Sequence, residues 1–188
     1  SFVFNPHKWM LTNFDCSAYF VSDAELLKKT FEIHPEYLKT SADLKVNNYR
    51  DWGIQLGRRF RALKLWFVIR TYGVQGIRQM VKSHVGLAEN FEAWLKTAEG
   101  YELLAPRNLS LVCFRFNPGG MDQQELNILN QAILDQVNAD GRVYLTHTVL
   151  EGSYCLRLAI GQVRTQVHHV ALVRQLLQEA VASLGKSR

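Results

Sequence analysis

The chain has 188 residues, of which 47% are hydrophobic and 21% charged, a balance typical of a folding protein rather than a disordered one. The formal net charge is +5, and the basic residues are scattered through apolar segments rather than grouped with aromatics, so nothing indicates nucleic-acid binding. The most apolar run, LKLWFVIR, is too short to span a membrane, and we expect no membrane partner. The three cysteines, Cys16, Cys113 and Cys155, are far apart and form no CxxC motif, which predicts neither a zinc site nor a disulfide framework and favours a reducing, cytoplasmic setting.

The first part of the chain predicts strand, turn, strand and a short helix. Ser1 opens an apolar run that leads into a proline, as though already inside a fold, and we therefore expect a piece of a longer polypeptide. Residues 1–20 predict two strands joined by a polar turn, and residues 23–29 predict a helix. Residues 31–55 carry a proline and several turn-forming residues without a sustained period, which predicts a long loop. Such loops are often functional, although a surface loop without a functional role is the simpler alternative.

Apolar residues then recur at helical spacing from residue 57. They predict two helices, with Gly73 and Gly76 near the boundary between them. We expect Trp9, in the first turn, and Trp66, in the first of these helices, to be core aromatics.

After residue 100 the pattern changes to strand, strand, helix, strand, strand, helix, with helices over residues 121–138 and 165–184. Two strand pairs, each followed by one amphipathic helix, predict a small antiparallel sheet with helices on one face. The sequence therefore predicts a ββαββα domain of the α+β class, of about 85 residues.

The most informative short segment is NPHKW at residues 5–9. It places a lysine on a turn at the end of a strand, beside an amide, an imidazole and an indole. A desolvated lysine amine loses its proton readily and then forms Schiff bases with aldehydes, so Lys8 is a candidate for such chemistry. Asn5 and His7 are the candidates for phosphate and ring recognition. On these five residues alone a plain surface lysine is the more frequent case, and that alternative stays open.

NPHKW, followed by NFDCSA at residues 13–18, resembles the lysine segment of the pyridoxal-phosphate-dependent group II decarboxylases, whose best-known type is aromatic-L-amino-acid decarboxylase. HPEYLK at residues 34–39 resembles the mobile catalytic loop of that family, and YRDWGIQLGRRFRALKLWFVIRTYGVQG at residues 49–76 resembles its most characteristic stretch. LVCFRF at residues 111–116 and LRLAI at residues 156–160 are similar to two strands of its C-terminal domain. The resemblance covers essentially the whole chain.

The resemblance implies an α/β fold of the fold type I transferase class, to which this chain contributes the end of the large domain and the C-terminal α+β domain. Residues 1–56 would close the cofactor-binding domain, with the Schiff-base lysine and the catalytic loop. Residues 57–99 would be connecting helices, and residues 100–188 the small domain.

The same resemblance assigns roles to five residues. Lys8 holds pyridoxal 5′-phosphate as a Schiff base, and Asn5 and His7 bind its phosphate or flank it. The cofactor takes up the electrons released when the substrate carboxylate leaves as carbon dioxide. Tyr37, on the closing loop, protonates the resulting carbanion; in related enzymes Tyr at this place goes with plain decarboxylation, and Phe with oxidative deamination to an aldehyde. Arg157 lies mid-strand in an apolar run, where a charge must be paired, and it aligns with an arginine that in related decarboxylases lies near the substrate carboxylate or organises the site.

These matches imply an enzyme that decarboxylates an aromatic L-amino acid of the tyrosine, tryptophan or DOPA class to its amine. The alternatives are an aromatic aldehyde synthase, a group II decarboxylase of another amino acid, and a non-catalytic dimerisation fragment. The family implies a homodimer, and the histidines have no partners at ligand spacing, so we expect no metal site. Its partners for the pyridine nitrogen, the cofactor ring and most of the phosphate precede the lysine segment, so we expect this chain to need the N-terminal portion of the same enzyme. The preferred amino acid does not follow from the sequence.

Overall fold

The computed structural model describes residues 1–33, 41 and 45–185. The chain divides into two compact units, Ser1–Val74 and Gln75–Arg188. Across the described residues, no helix combines the length and the apolarity that a membrane crossing requires. The predicted three-part division at residues 56 and 99 stays a prediction.

The first unit begins with a two-stranded antiparallel sheet, as predicted. β1 (Phe2–Phe4) pairs with β2 (Ala18–Phe20), with Phe2 opposite Phe20. α1 (Ala24–Phe31) confirms the predicted helix, and it begins where the Asp23 carboxylate accepts a hydrogen bond from the Leu26 amide at 3.0 Å. The predicted loop lies partly outside the described residues, and its described part contains a 3-10 turn at Tyr49–Trp52.

The predicted helix pair forms one long helical stretch, α2 (Arg61–Leu95), which is interrupted at Gly73. Gly73 has φ 66° and ψ 165°, a conformation that only glycine adopts readily, so two helices meet there. The core position expected for Trp66 is wrong, since 53% of this side chain is exposed. The Trp66 ring packs edge-on against Phe67, with the ring centroids 5.1 Å apart, and lies 5.7 Å from the Arg70 guanidinium, so these ring contacts are with neighbours on its own helix.

The second unit confirms the predicted ββαββα order. Its elements are β3 (Tyr101–Leu103), β4 (Leu111–Phe116), α3 (Gln123–Ala139), β5 (Thr146–Leu150), β6 (Ser153–Ala159) and α4 (Val167–Gly185). The strands form one antiparallel sheet in the order β3-β4-β6-β5. This is a mixed helix and sheet architecture, in agreement with the predicted fold class.

One face of this sheet packs on helices, and this packing forms the core of the second unit. The core contains buried side chains from the end of α2, from β4 and β6, and from α3 and α4. Its members include Leu87, Phe91, Leu95, Val112, Phe114, Ile133, Val137, Leu156, Leu158, Val173 and Leu177. Because successive residues of a strand point to opposite faces, the residues between these strand positions lie on the other face of the sheet.

A buried asparagine ties α3 to this sheet. Asn130 is completely buried, and its Oδ1 accepts a hydrogen bond from the Phe116 amide at 2.7 Å. Its Nδ2 donates to the Phe116 carbonyl at 2.8 Å and to the Leu126 carbonyl at 2.9 Å. Asn130 therefore satisfies both main-chain groups of the last residue of β4.

Candidate functional site

The segment between β1 and β2, residues 5–17, is here called the lysine turn. Its main chain is closed by three hydrogen bonds, from the amide of Lys8 to the carbonyl of Asn5 at 2.9 Å, of Thr12 to Pro6 at 3.1 Å, and of His7 to Cys16 at 3.2 Å. Pro6 is fully buried and fixes its own φ, which further restricts the turn. The local sequence thus holds the backbone of Lys8 in one place.

The Lys8 side chain is exposed. Among the residues that the structure describes, none forms a hydrogen bond or an ion pair with its ammonium group. An amine held by a carboxylate would first have to leave it before reacting. The Lys8 amine is therefore accessible to a carbonyl compound from solvent.

The imidazole ring of His7 stabilises the lysine turn. Its Nδ1 lies 2.7 Å from the Cys16 carbonyl oxygen and 3.0 Å from the Cys16 amide nitrogen, so this ring nitrogen is engaged by the main chain in either tautomer. The ring packs edge-on against Phe14, with the centroids 4.9 Å apart. This gives His7 a structural role in the turn, and its predicted place beside the cofactor stays a prediction.

Asn5 is fixed from the other strand. The Ser17 hydroxyl donates to Asn5 Oδ1 at 2.6 Å, which orients the side-chain amide. No described group accepts a hydrogen bond from Asn5 Nδ2. Asn5 therefore keeps a donor that suits a phosphate oxygen.

A charged pair joins the lysine turn to the first turn of α2, and sequence reasoning missed it. Arg61 Nε lies 3.0 Å from Asp15 Oδ2, and Cys16 Sγ lies 4.0 Å from the Arg61 carbonyl oxygen. Desolvation opposes the ionised carboxylate, but a backbone hydrogen bond and the Arg61 guanidinium lower the pKa of Asp15 below its ordinary value. The two partners are distant in sequence, so no local pattern predicts their contact.

The structure describes one of the other two predicted site residues. Arg157 lies on β6 in the second unit, opposite Cys113 of β4 and Thr146 of β5, and is partly exposed. The expectation that it must be paired is not met within the described ranges, since no carboxylate there forms an ion pair with Arg157. Solvent access reduces the need for a partner. Tyr37 lies outside the described residues.

Comparisons with known proteins identify the relatives of this chain. Tyrosine decarboxylase 4 of Petroselinum crispum is 45% identical over 190 residues, which is 98% of this chain and 37% of that protein. A phenylacetaldehyde synthase of a Rosa hybrid cultivar is 40% identical over 188 residues, covering 95% of this chain and 37% of the relative. The chain thus spans little more than a third of the length of these relatives.

The structural comparison agrees. A crystal structure of Oryza sativa TDC with PLP and tryptamine superposes on 97% of this chain and 38% of that one, with a TM-score of 0.90 and 34% sequence identity. The model of the pyridoxal-dependent decarboxylase conserved domain matches residues 1–117, which include the lysine turn, α2 and β4. This chain therefore belongs to the pyridoxal-dependent decarboxylase family.

Proposed function

We propose that this chain supplies the lysine-bearing portion of an enzyme that decarboxylates an aromatic L-amino acid, of the tyrosine, tryptophan or DOPA class, to its amine with pyridoxal 5′-phosphate. The observation that carries the proposal is the accessible Lys8 amine on a closed turn. Its context supports the same conclusion, because the chain is 45% identical to a tyrosine decarboxylase and 44% identical to a tryptophan decarboxylase.

The lysine turn fits the cofactor by its chemistry. Lys8 offers a primary amine, the group that joins an aldehyde, and Asn5 Nδ2 offers a donor for a phosphate oxygen. The cofactor, when bound, supplies an electron sink for the bond that breaks at the substrate Cα. The residues present in this chain therefore suit the covalent anchor.

This chain's own residues are proposed to position the cofactor and the substrate and to move protons. Lys8 Nζ anchors the cofactor, while the contacts of His7 with Cys16 and of Asp15 with Arg61 keep the turn in place. The Arg157 guanidinium is proposed to bind the substrate carboxylate, since its planar fork matches two carboxylate oxygens.

Tyr37 is proposed as the proton donor to the substrate carbon after carbon dioxide has left. A phenol is a weak acid that suits a single proton delivery from a loop that also excludes water. In the presence of dioxygen, which is reduced to peroxide while water supplies the aldehyde oxygen, we expect Tyr37→Phe to divert turnover from amine to aldehyde, ammonia and peroxide, as measured by product analysis. If the variant released only amine, the role assigned to Tyr37 would be wrong.

An aldehyde synthase is the second candidate, because the relatives include a phenylacetaldehyde synthase and a 4-hydroxyphenylacetaldehyde synthase of Rhodiola rosea is 31% identical with a TM-score of 0.83. Tyr37 favours the decarboxylase, on the resemblance described above. The two activities differ in their product, so one assay with an aromatic amino acid separates them.

We further propose a homodimer in the cytoplasm that also contains the N-terminal portion of the same enzyme. The exposed apolar side chains of the first unit support a further packing partner, since Ile54 is 88% exposed, Phe60 74% and Phe67 56%. Light scattering of the complete enzyme would give twice the protomer mass. A monomer that retained full activity would contradict this assembly.

The function is tested with a hybrid polypeptide. The part of the Petroselinum crispum tyrosine decarboxylase that has no counterpart here is joined to this chain and supplied with pyridoxal phosphate and tyrosine, tryptophan or DOPA. We expect amine and carbon dioxide from the hybrid and from its Lys29→Ala variant, since Lys29 is an exposed lysine of α1. Lys8→Ala should lose more than a thousandfold in rate, about 4 kcal/mol in activation free energy. Equal rates for the two variants would refute the assignment of Lys8.

A further inference from the structure

Two of the three cysteines are neighbours in the second unit. β4 and β6 are antiparallel, with Cys113 opposite Arg157 and Phe114 opposite Leu156. Cys155 is two residues from Arg157 on the same strand, so it lies diagonally across from Cys113 on the same face. The register of the strands therefore brings together two thiols that are far apart in the sequence. Cys113 and Cys155 are here called the dithiol.

This dithiol lies on the sheet face opposite the helices, because Phe114 and Leu156 occupy the core face. Cys155 is completely buried and Cys113 is partly exposed, and both are free thiols. A ligand from solvent would therefore reach Cys155 past Cys113.

The spacing of a diagonal pair does not suit a disulfide. Diagonal residues of an antiparallel pair are about 7–8 Å apart, somewhat less between Cβ atoms, whereas a disulfide needs Cβ atoms about 3.5–4.5 Å apart. An ion between the two sulfurs would lengthen the bridge by two metal–sulfur bonds. The Cβ atoms would then not need to approach to the distance that a disulfide requires. The geometry thus favours a bridging cation over a covalent bond.

The ligand set limits which cation fits. Within the part of the chain that the structure describes, no group of three or more His, Cys, Asp or Glu side chains is placed to hold a metal ion. Structural zinc sites use four ligands, so zinc is not favoured here. Two soft sulfur ligands are the choice of Cu(I).

We propose that Cys113 and Cys155 form a two-coordinate site for a soft monovalent cation of the Cu(I) type. Both thiols lose their protons, so one Cu(I) and two thiols give a bis-thiolate complex of charge −1 and two protons. The Arg157 guanidinium, opposite Cys113 on the same face, offsets that remaining negative charge.

The test is an anaerobic titration of the 188-residue chain with Cu(I) alone, in competition with a chromophoric Cu(I) chelator. We expect one Cu(I) per chain for the natural sequence and for Cys16→Ser, the matched control from the first unit. Cys113→Ser, at a partly exposed position, should lower the affinity at least a hundredfold. Cys155→Ala should do the same, and circular dichroism of both variants shows that they remain folded.

X-ray absorption gives the second readout, and the expected result is two sulfur neighbours. Unchanged affinity in Cys113→Ser would overturn the proposal, and so would a copper ion with a nitrogen ligand. Mild oxidation with diamide is the third readout. A mass loss of about two hydrogens with Cys113 linked to Cys155 would overturn the geometric argument for a bridging ion.

Discussion

Replacement of Asn130 by alanine is expected to destabilise the second unit strongly. The side chain is completely buried and makes hydrogen bonds of 2.7 and 2.8 Å to the amide and the carbonyl of Phe116. Alanine leaves both main-chain groups without a protein partner, and each such group costs about 1–3 kcal/mol. The free energy of unfolding should therefore fall by about 2–6 kcal/mol. The Leu126 carbonyl also loses its hydrogen bond to Asn130. Because this carbonyl lies within a helix, the loss should add little to the change in the free energy of unfolding.

The matched control is Gln131→Ala, because Gln131 is an exposed amide on the same helix. Its substitution should change the free energy of unfolding by less than about 0.5 kcal/mol. Urea unfolding at equilibrium measures both variants, and hydrogen exchange of the α3 amides shows that the loss is in the second unit. If Asn130→Ala were within about 0.5 kcal/mol of Gln131→Ala, the account of this hydrogen-bond pair would be refuted.

Three further predictions concern the same unit. Burial lowers the pKa of His84 below 6.5, so the free energy of unfolding should be at its plateau above that pH and should fall as the pH drops below it. Urea unfolding at several pH values checks this, and His84→Gln should remove the dependence whereas a change at the exposed His168 should not. Gly100→Ala should destabilise by about 1–3 kcal/mol, because Gly100 has φ +77° and a Cβ there would lie 2.5 Å from the Phe116 ring. Gly86→Ala, at a helical position where the new Cβ would meet no atom of another segment within 4 Å, should instead stabilise by about 0.5–1 kcal/mol, and urea unfolding measures both glycine variants.

The order of the elements could be predicted because it depends on local patterns. Alternation and helical spacing are properties of a few neighbouring residues, and they indicate ββαββα without any knowledge of packing. The lysine turn could also be predicted, since NPHKW places Lys8 at a strand end within five residues. Both are short-range signals that one strand or one turn contains in full.

Contacts between distant segments could not be predicted in this way. The dithiol of Cys113 and Cys155 depends on strand register, and the pair of Asp15 and Arg61 depends on how the lysine turn meets α2. Trp66 shows a related limit. Its large apolar ring indicates a preference for burial, but only the tertiary structure shows whether the described chain provides a partner.

The measurement that tests the central claim most directly is borohydride reduction of the hybrid enzyme in the presence of pyridoxal phosphate, followed by peptide mapping. We expect a phosphopyridoxyl group to become fixed to Lys8, whereas Lys29, which is also exposed, should stay unmodified. A hybrid that releases amine but carries the label on a different lysine, or none at all, would contradict the account.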